Sequence, residues 1–148
     1  MSSKKAFDVL SKLFKGYQGN ESFQRVAAAC RVVTAEPTGK VRVEFDVAKE
    51  MTNPFGTLHG GYTATLIDIV TTTALIAAER PPGVSVDLHI SYLSAAKIGE
   101  TVVMDAEVIR AGQSTAFTKA SLFIKGTDKL IATGLHTKAL PRVKSEKK

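Results

Sequence analysis

HGGYTATLIDIVTTTALIAAER, residues 59–80, is apolar or small almost throughout and long enough for about six helical turns. Leu66, Ile67, Ile69, Val70, Ala74, Leu75 and Ile76 surround such a helix instead of lining one stripe, so it must be enclosed on several sides. A membrane is the wrong enclosure, because His59, Asp68 and the threonines interrupt the apolar run that an integral span needs. Pro81-Pro82-Gly83 stops the helix. Four strand-like segments follow, at 84–92, 101–110, 114–124 and 129–140, and their short Gly-containing links suit antiparallel neighbours. Upstream, residues 52–58 read as a loop around Pro54 and Gly56. Val41, Val43, Phe45 and Val47 alternate with Lys40, Arg42, Glu44 and Asp46, the pattern of a strand with one wet face. The turn Glu36-Pro37-Thr38-Gly39 precedes it, and the apolar run Phe23 to Thr34 is expected to hold the first strand. The economical arrangement is α+β, an antiparallel sheet wrapped around the long central helix.

The 148 residues suit one domain. Residues 1–18 form an N-terminal helix and linker, with Ala6, Phe7, Leu10, Leu13 and Phe14 on one face. The folded domain spans 19–140, and 141–148 read as a disordered basic tail. The formal charge of +6 sits at the ends. Lysines 4, 5, 12 and 15 face only Asp8, Arg142 and lysines 144, 147 and 148 face only Glu146, and residues 17–140 carry no net charge. No basic stripe for nucleic acid is therefore expected. Cys30 is the single cysteine, so no intrachain disulfide forms and a reducing, cytoplasmic compartment is the natural setting. Its apolar neighbours favour a small buried residue over a reactive thiol. The lysine-bearing first helix also resembles a mitochondrial presequence, although Asp8, Glu21 and the lack of arginine before Arg25 argue for a helix packed on the domain.

Three polar features near the central helix need explaining. Asp68 among Leu66, Ile67, Ile69 and Val70 must be paired, protonated or turned to a cleft, as a bonded structural carboxyl or as a catalytic base. His59-Gly60-Gly61 opens the helix, where free N–H groups and the dipole attract an oxyanion, or where glycine permits a tight turn. His59 itself suits a hydrogen-bonded histidine or an acid-base group. Asn53 either caps its own turn or donates to a substrate carbonyl.

These residues carry a resemblance. Asn53-Pro-Phe-Gly-Thr-Leu-His-Gly-Gly-Tyr-Thr-Ala-Thr-Leu-Ile-Asp68 is similar to the signature of hotdog-fold acyl-CoA thioesterases, and the likeness extends over about residues 20–140. It implies a hotdog fold and hydrolysis of medium- to long-chain fatty acyl-CoA to fatty acid and coenzyme A, with neither metal nor cofactor. Asn53 and the Gly60 N–H would polarise the thioester carbonyl, while Asp68 and Ser85 would position and activate water. Coenzyme A would run along Tyr92, Leu93, Ser94, Ala95, Ala96 and Lys97, and along Arg110, Ala111, Gly112, Gln113, Ser114 and Thr115. Lys97 and Arg110 would meet phosphates. Relatives commonly carry proline where Ala95 stands.

Gly60 and Asp68 are eight residues apart, about 12 Å along one helix. One reacting centre cannot touch both, so a shared site needs two chains with antiparallel central helices, a homodimer that the resemblance extends to a tetramer. Two other readings compete. One is a hydroxyacyl thioester dehydratase on the same fold, using His59 and Asp68. The other is a non-catalytic acyl-CoA binding or sensing module docking a lipid-transfer protein.

Overall fold

The computed structural model describes residues 1–142. Helix α1 (Ser3–Lys15) is followed by a 3-10 turn at Phe23–Ala27, then strands β1 (Arg31–Glu36) and β2 (Lys40–Asp46). A second 3-10 turn, Lys49–Met51, precedes helix α2 (Gly60–Ala77), and four strands follow: β3 (Val84–Tyr92), β4 (Thr101–Ala111), β5 (Thr115–Ile124) and β6 (Leu130–Ala139). All six strands form one antiparallel sheet in the order β1-β2-β4-β5-β6-β3.

The sheet curls around α2, which packs against every strand. Leu66, Ile67, Val70, Ala74 and Leu75 are completely buried, so burial by protein answers the helix's all-round apolarity, although its length and composition would also suit a membrane span. Gly134 on β6 allows this approach: a Cβ there would stand 2.7 Å from Ile67 Cγ2. On β2 the expected alternation holds for Val41, Val43 and Phe45 and continues to Val47 just beyond it, all buried. Glu44 is buried too, because Arg31 at 3.2 Å and Lys125 at 3.0 Å reach its carboxylate. Helix α1, capped by the Ser2 hydroxyl, buries Ala6, Leu10 and Phe14 against β1 and α2, so the N-terminal helix is packed on the domain.

The first strand differs from expectation. Phe23–Ala27 is a 3-10 turn, tied to α2 by the Tyr62 hydroxyl donating to the Val26 carbonyl at 2.8 Å, and the strand begins only at Arg31. Helix α2 ends at Ala77, short of Arg80. Glu79 adopts φ 55°, and the Glu79 and Arg80 amides turn back to the carbonyls of Ile76 and Leu75. That paired closure is a Schellman motif, with Glu79 where glycine is the usual choice. Pro81 reinforces the stop, since the residue before a proline avoids helical backbone. Pro141 and Arg142 are exposed; the rest of the tail expected to be disordered lies outside the described residues.

Candidate functional site

The site residues separate into two groups, one at the N-terminal end of α2 and one around its middle. The first is built on the loop that delivers the chain to the helix. Asn53 closes this loop on itself: its Oδ1 accepts from the backbone amides of Phe55 and Thr57 at 3.0 and 3.2 Å, and its amide donates to the Thr57 hydroxyl at 2.9 Å. One amide hydrogen remains for a ligand. His59 is the N-cap, with its Nδ1 accepting from the Gly61 amide at 2.8 Å. The imidazole thus takes one of the orphan amides of the first turn, and the Gly60 N–H is left without an intrahelical partner. The Tyr92 hydroxyl donates to the Gly60 carbonyl at 2.7 Å and its ring covers the glycine, where a Cβ would meet it at 3.2 Å. The Leu58 amide donates to the Ala96 carbonyl, and Thr57 bridges to Lys97. The segment 92–97 is therefore fastened to the Asn53–Gly60 end.

The second group gathers around Asp68, whose side chain is 41% exposed. The Ser85 hydroxyl lies 3.2 Å from Asp68 Oδ2 and 2.8 Å from His136 Nε2. His136, completely buried, places its Nδ1 2.7 Å from the Thr71 hydroxyl, which itself donates to the Ile67 carbonyl at 2.7 Å. The ring bridges Thr71 on α2 and Ser85 on β3, and the Ser85 hydroxyl donates to Asp68, so Asp68, Ser85 and His136 form a short hydrogen-bonded chain. Burial holds His136 below its ordinary value, opposed by Asp68 and reinforced by Lys138. Lys138, also buried, donates to the Thr72 hydroxyl at 3.0 Å, and burial lowers its pKa as well.

A bulge aims Ser85. Leu88, Ile90 and Tyr92 pair with the inward-facing His136, Gly134 and Ala132, and by strict alternation Ser85 would face outward. The register shifts between Ser85 and Asp87, so Ser85 pairs with inward-facing Lys138 and reaches Asp68. His136, Lys138 and Thr71 were not singled out in the sequence. Their signal was available: alternation along β6 puts His136 and Lys138 on the same buried face as Ala132 and Gly134.

The two segments expected to hold coenzyme A are not brought together in one chain. Tyr92 lies in register with Ala132 and Leu122, whereas Ala111 aligns with Ala116, Lys138 and Ser85. Six residues of β5 separate those rungs, about 20 Å. Residues 92–97 thus accompany Asn53 and Gly60, and residues 110–115 accompany the Asp68 group. Lys97 and Arg110 are exposed. In the second segment the Gly112 carbonyl accepts from Arg80, and the Ser114 carbonyl from the Leu140 amide.

Known proteins share this arrangement of strands and helix. The sequence pattern of the Thioesterase superfamily matches residues 55–131. Acyl-coenzyme A thioesterase 13 of Homo sapiens is 48% identical over 132 residues, covering 88% of this chain and 94% of that protein. The structure of zebra fish thioesterase superfamily member 2 matches with a TM-score of 0.88 at 43% identity, covering 91% of this chain and 98% of the other. Thioesterase superfamily member 2 from Mus musculus matches at 0.85 and 45% identity, covering 95% and all of it. Fold, motif and extended sequence likeness agree: the chain belongs to the thioesterase superfamily.

Proposed function

We propose that the chain hydrolyses acyl-CoA thioesters, preferring medium- to long-chain fatty acyl groups, in sites completed between two subunits. The observation that carries this reading is the Asp68–Ser85–His136 chain, a partly exposed carboxylate held by a hydroxyl at 3.2 Å whose orientation a buried imidazole fixes. Likeness to acyl-coenzyme A thioesterase 13 over most of both chains supports the substrate class.

The chemistry follows from the groups. The thioester carbonyl oxygen accepts from the Gly60 N–H and the free Asn53 amide hydrogen, which stabilise the charge that develops on it. Asp68 takes a proton from a water as the water oxygen bonds to the carbonyl carbon, and Ser85 orients that water. When the tetrahedral intermediate collapses, the carbon–sulfur bond breaks and the Asp68 proton passes to the departing thiolate. The products are a fatty acid and coenzyme A, and no metal takes part.

Gly60 and Asp68 begin and divide one helix eight residues apart, about 12 Å, which supports pairing the Gly60 end of one chain with the Asp68 of another. Strand β3 forms an open sheet edge with Val84 and Val86 exposed at 71% and 66%, a surface suited to a second copy, and the dimer would assemble further to a tetramer. In this arrangement coenzyme A meets residues 92–97 of one subunit and 110–115 of the other. A cytoplasmic location accords with the buried free thiol of Cys30 and with α1 packed as part of the domain.

The test is thiol release from acyl-CoA substrates by the wild type and by Asp68→Ala. Burial pushes the Cys30 thiol up to about 12, so it leaves the assay's thiol reagent to the product. Turnover by the wild type that Asp68→Ala abolishes is the expected result. Unchanged turnover in the variant sinks the general-base role, and no thiol release by the wild type favours an acyl-CoA binding module.

A further inference from the structure

Lys138 is a buried cation that takes no part in polarising the thioester or activating the water. It faces inward from β6, is only 4% exposed, and lies in register with Ala116 on β5 and Ser85 on β3. Burying an ammonium is costly unless something compensates it. Its Nζ donates to the Thr72 hydroxyl at 3.0 Å, and that hydroxyl gives its own proton to the Asp68 carbonyl at 2.8 Å. The ammonium thus stands in one cavity with Asp68, fixed by the residue one turn along the helix and not bonded to the carboxylate. Burial lowers its pKa, and the Asp68 carboxylate opposes that fall.

We propose that Lys138 is a positioning residue for the hydrolysis, a fixed positive charge that keeps a proton off the His136 ring and so leaves Asp68 free to act on water. The inference rests on the thioesterase reading above and adds a residue to it. Two states of the ring compete. An uncharged His136 has one donor and one acceptor nitrogen, which serve the Thr71 hydroxyl at 2.7 Å and the Ser85 hydroxyl at 2.8 Å. An imidazolium donates from both nitrogens. Its Nε2, 3.9 Å from Asp68 Oδ2, would then form an ion pair with the carboxylate across Ser85 and weaken it as a base. Burial opposes the charged ring, Asp68 on α2 favours it, Lys138 opposes it, and Asp87 on β3 favours it less strongly than Asp68. From β5 the residue in register is the uncharged Thr118. Without Lys138, two carboxylates would act on the ring against burial alone. His136 and Lys138 are neighbours on the buried face of β6, about 7 Å apart along the strand. At an effective dielectric constant of about 20, that repulsion changes the ring's proton affinity by more than about tenfold.

The experiment pairs an NMR titration of the His136 ring with pH profiles of kcat and KM for palmitoyl-CoA, using the wild type, Lys138→Met, Lys138→Gln and Lys138→Arg, with melting curves to establish that each variant folds. Replacing a buried charge by an uncharged side chain of similar volume is often neutral or stabilising, so the methionine variant is expected to fold. In the wild type the ring titrates below 6.5. In the methionine and glutamine variants its midpoint rises and the acid limb of kcat moves up with it. At pH 6 their kcat falls about tenfold, whereas kcat at pH 8 and KM change little. Lys138→Arg, which keeps the charge, keeps the wild-type limb. A wild-type midpoint above 6.5 overturns the inference. So does a folded methionine or glutamine variant whose ring midpoint or acid limb stays where the wild type has it, or one that loses kcat equally at both pH values, the mark of a packing role alone. If the wild type releases no thiol, the thioesterase reading fails separately, and the ring titration still judges Lys138: a midpoint that rises in the variants supports its hold on the His136 proton, and an unchanged one overturns it.

Discussion

Two variants, one defective in the loop that leads into α2 and the other at the middle of α2, should restore one another. Asp68→Asn removes the base, and Asn53→Asp removes the amide donor while keeping an Oδ for the Phe55 and Thr57 amides, so the loop survives. Loss of a general base lowers kcat by about 10²–10⁴, and loss of an oxyanion donor by about 10²–10³, so each parent retains no more than about 1% of wild-type turnover. The eight-residue separation of Gly60 and Asp68 on one helix puts the carbonyl-polarising amide and the base about 12 Å apart along it. A mixed dimer then contains one site with both defects and one with neither. Random pairing of equal amounts makes about half the dimers mixed, and one of their two sites works, so about a quarter of wild-type kcat per chain returns. The assay is palmitoyl-CoA hydrolysis by coexpressed, differently tagged chains, with mixing verified by sequential affinity capture. Captured mixed dimers no more active than the parents would refute a site divided between subunits and require both half-sites to act within one chain.

Other outcomes follow from single contacts. Ser85→Ala removes the hydroxyl between Asp68 and His136, and a hydrogen bond to a charged group contributes about 1.5–3 kcal/mol, so kcat should fall about ten- to a hundredfold with little change in KM, measured by steady-state kinetics. His136 is held below its unfolded value of 6.5, chiefly by burial. The unfolded chain therefore binds this proton more readily, and the stability present above that value is lost as pH falls through it toward the folded pKa. Melting temperature should decline on acidification from pH 7 to 5, less so in His136→Gln; an identical decline in both removes His136 as the cause. Gly134→Ala would place a methyl 2.7 Å from Ile67 Cγ2 and 3.0 Å from Ile90 Cδ1. The overpacking should cost about 1–3 kcal/mol in chemical denaturation.

Where periodicity was strong, sequence and structure coincide. The helix around residues 60–77 announced itself because six strands enclose it and every face had to be apolar. Strand β2 announced itself because one face is wet. Residues 23–34 misled because β1 lies at a sheet edge with only Ala35 buried, so little alternation marks it, while the apolar residues before it serve a turn tied to Tyr62. In the site, Asp68 and Gly60 were legible as polar or flexible residues in an apolar helix. Ser85 was suspected only through resemblance, since its direction depends on a bulge that side-chain alternation does not encode. His136 escaped because its significance lies in partners on two other stretches of chain, Thr71 and Asp68 on α2 and Ser85 on β3.

Strand β3 has a further consequence for handling and expressing the protein. It is nine residues long, contains neither proline nor lysine, and presents valines at its exposed end. Proteins that live alone blunt such a border with charges, prolines or a covering loop. A newly made copy therefore carries a template for indiscriminate strand addition until something occupies it, and crowding of nascent copies favours aggregates over native assembly. Slow synthesis at low temperature should raise soluble yield more than any change to the core, and Val86→Lys, at an exposed position of that strand, should protect the isolated copy.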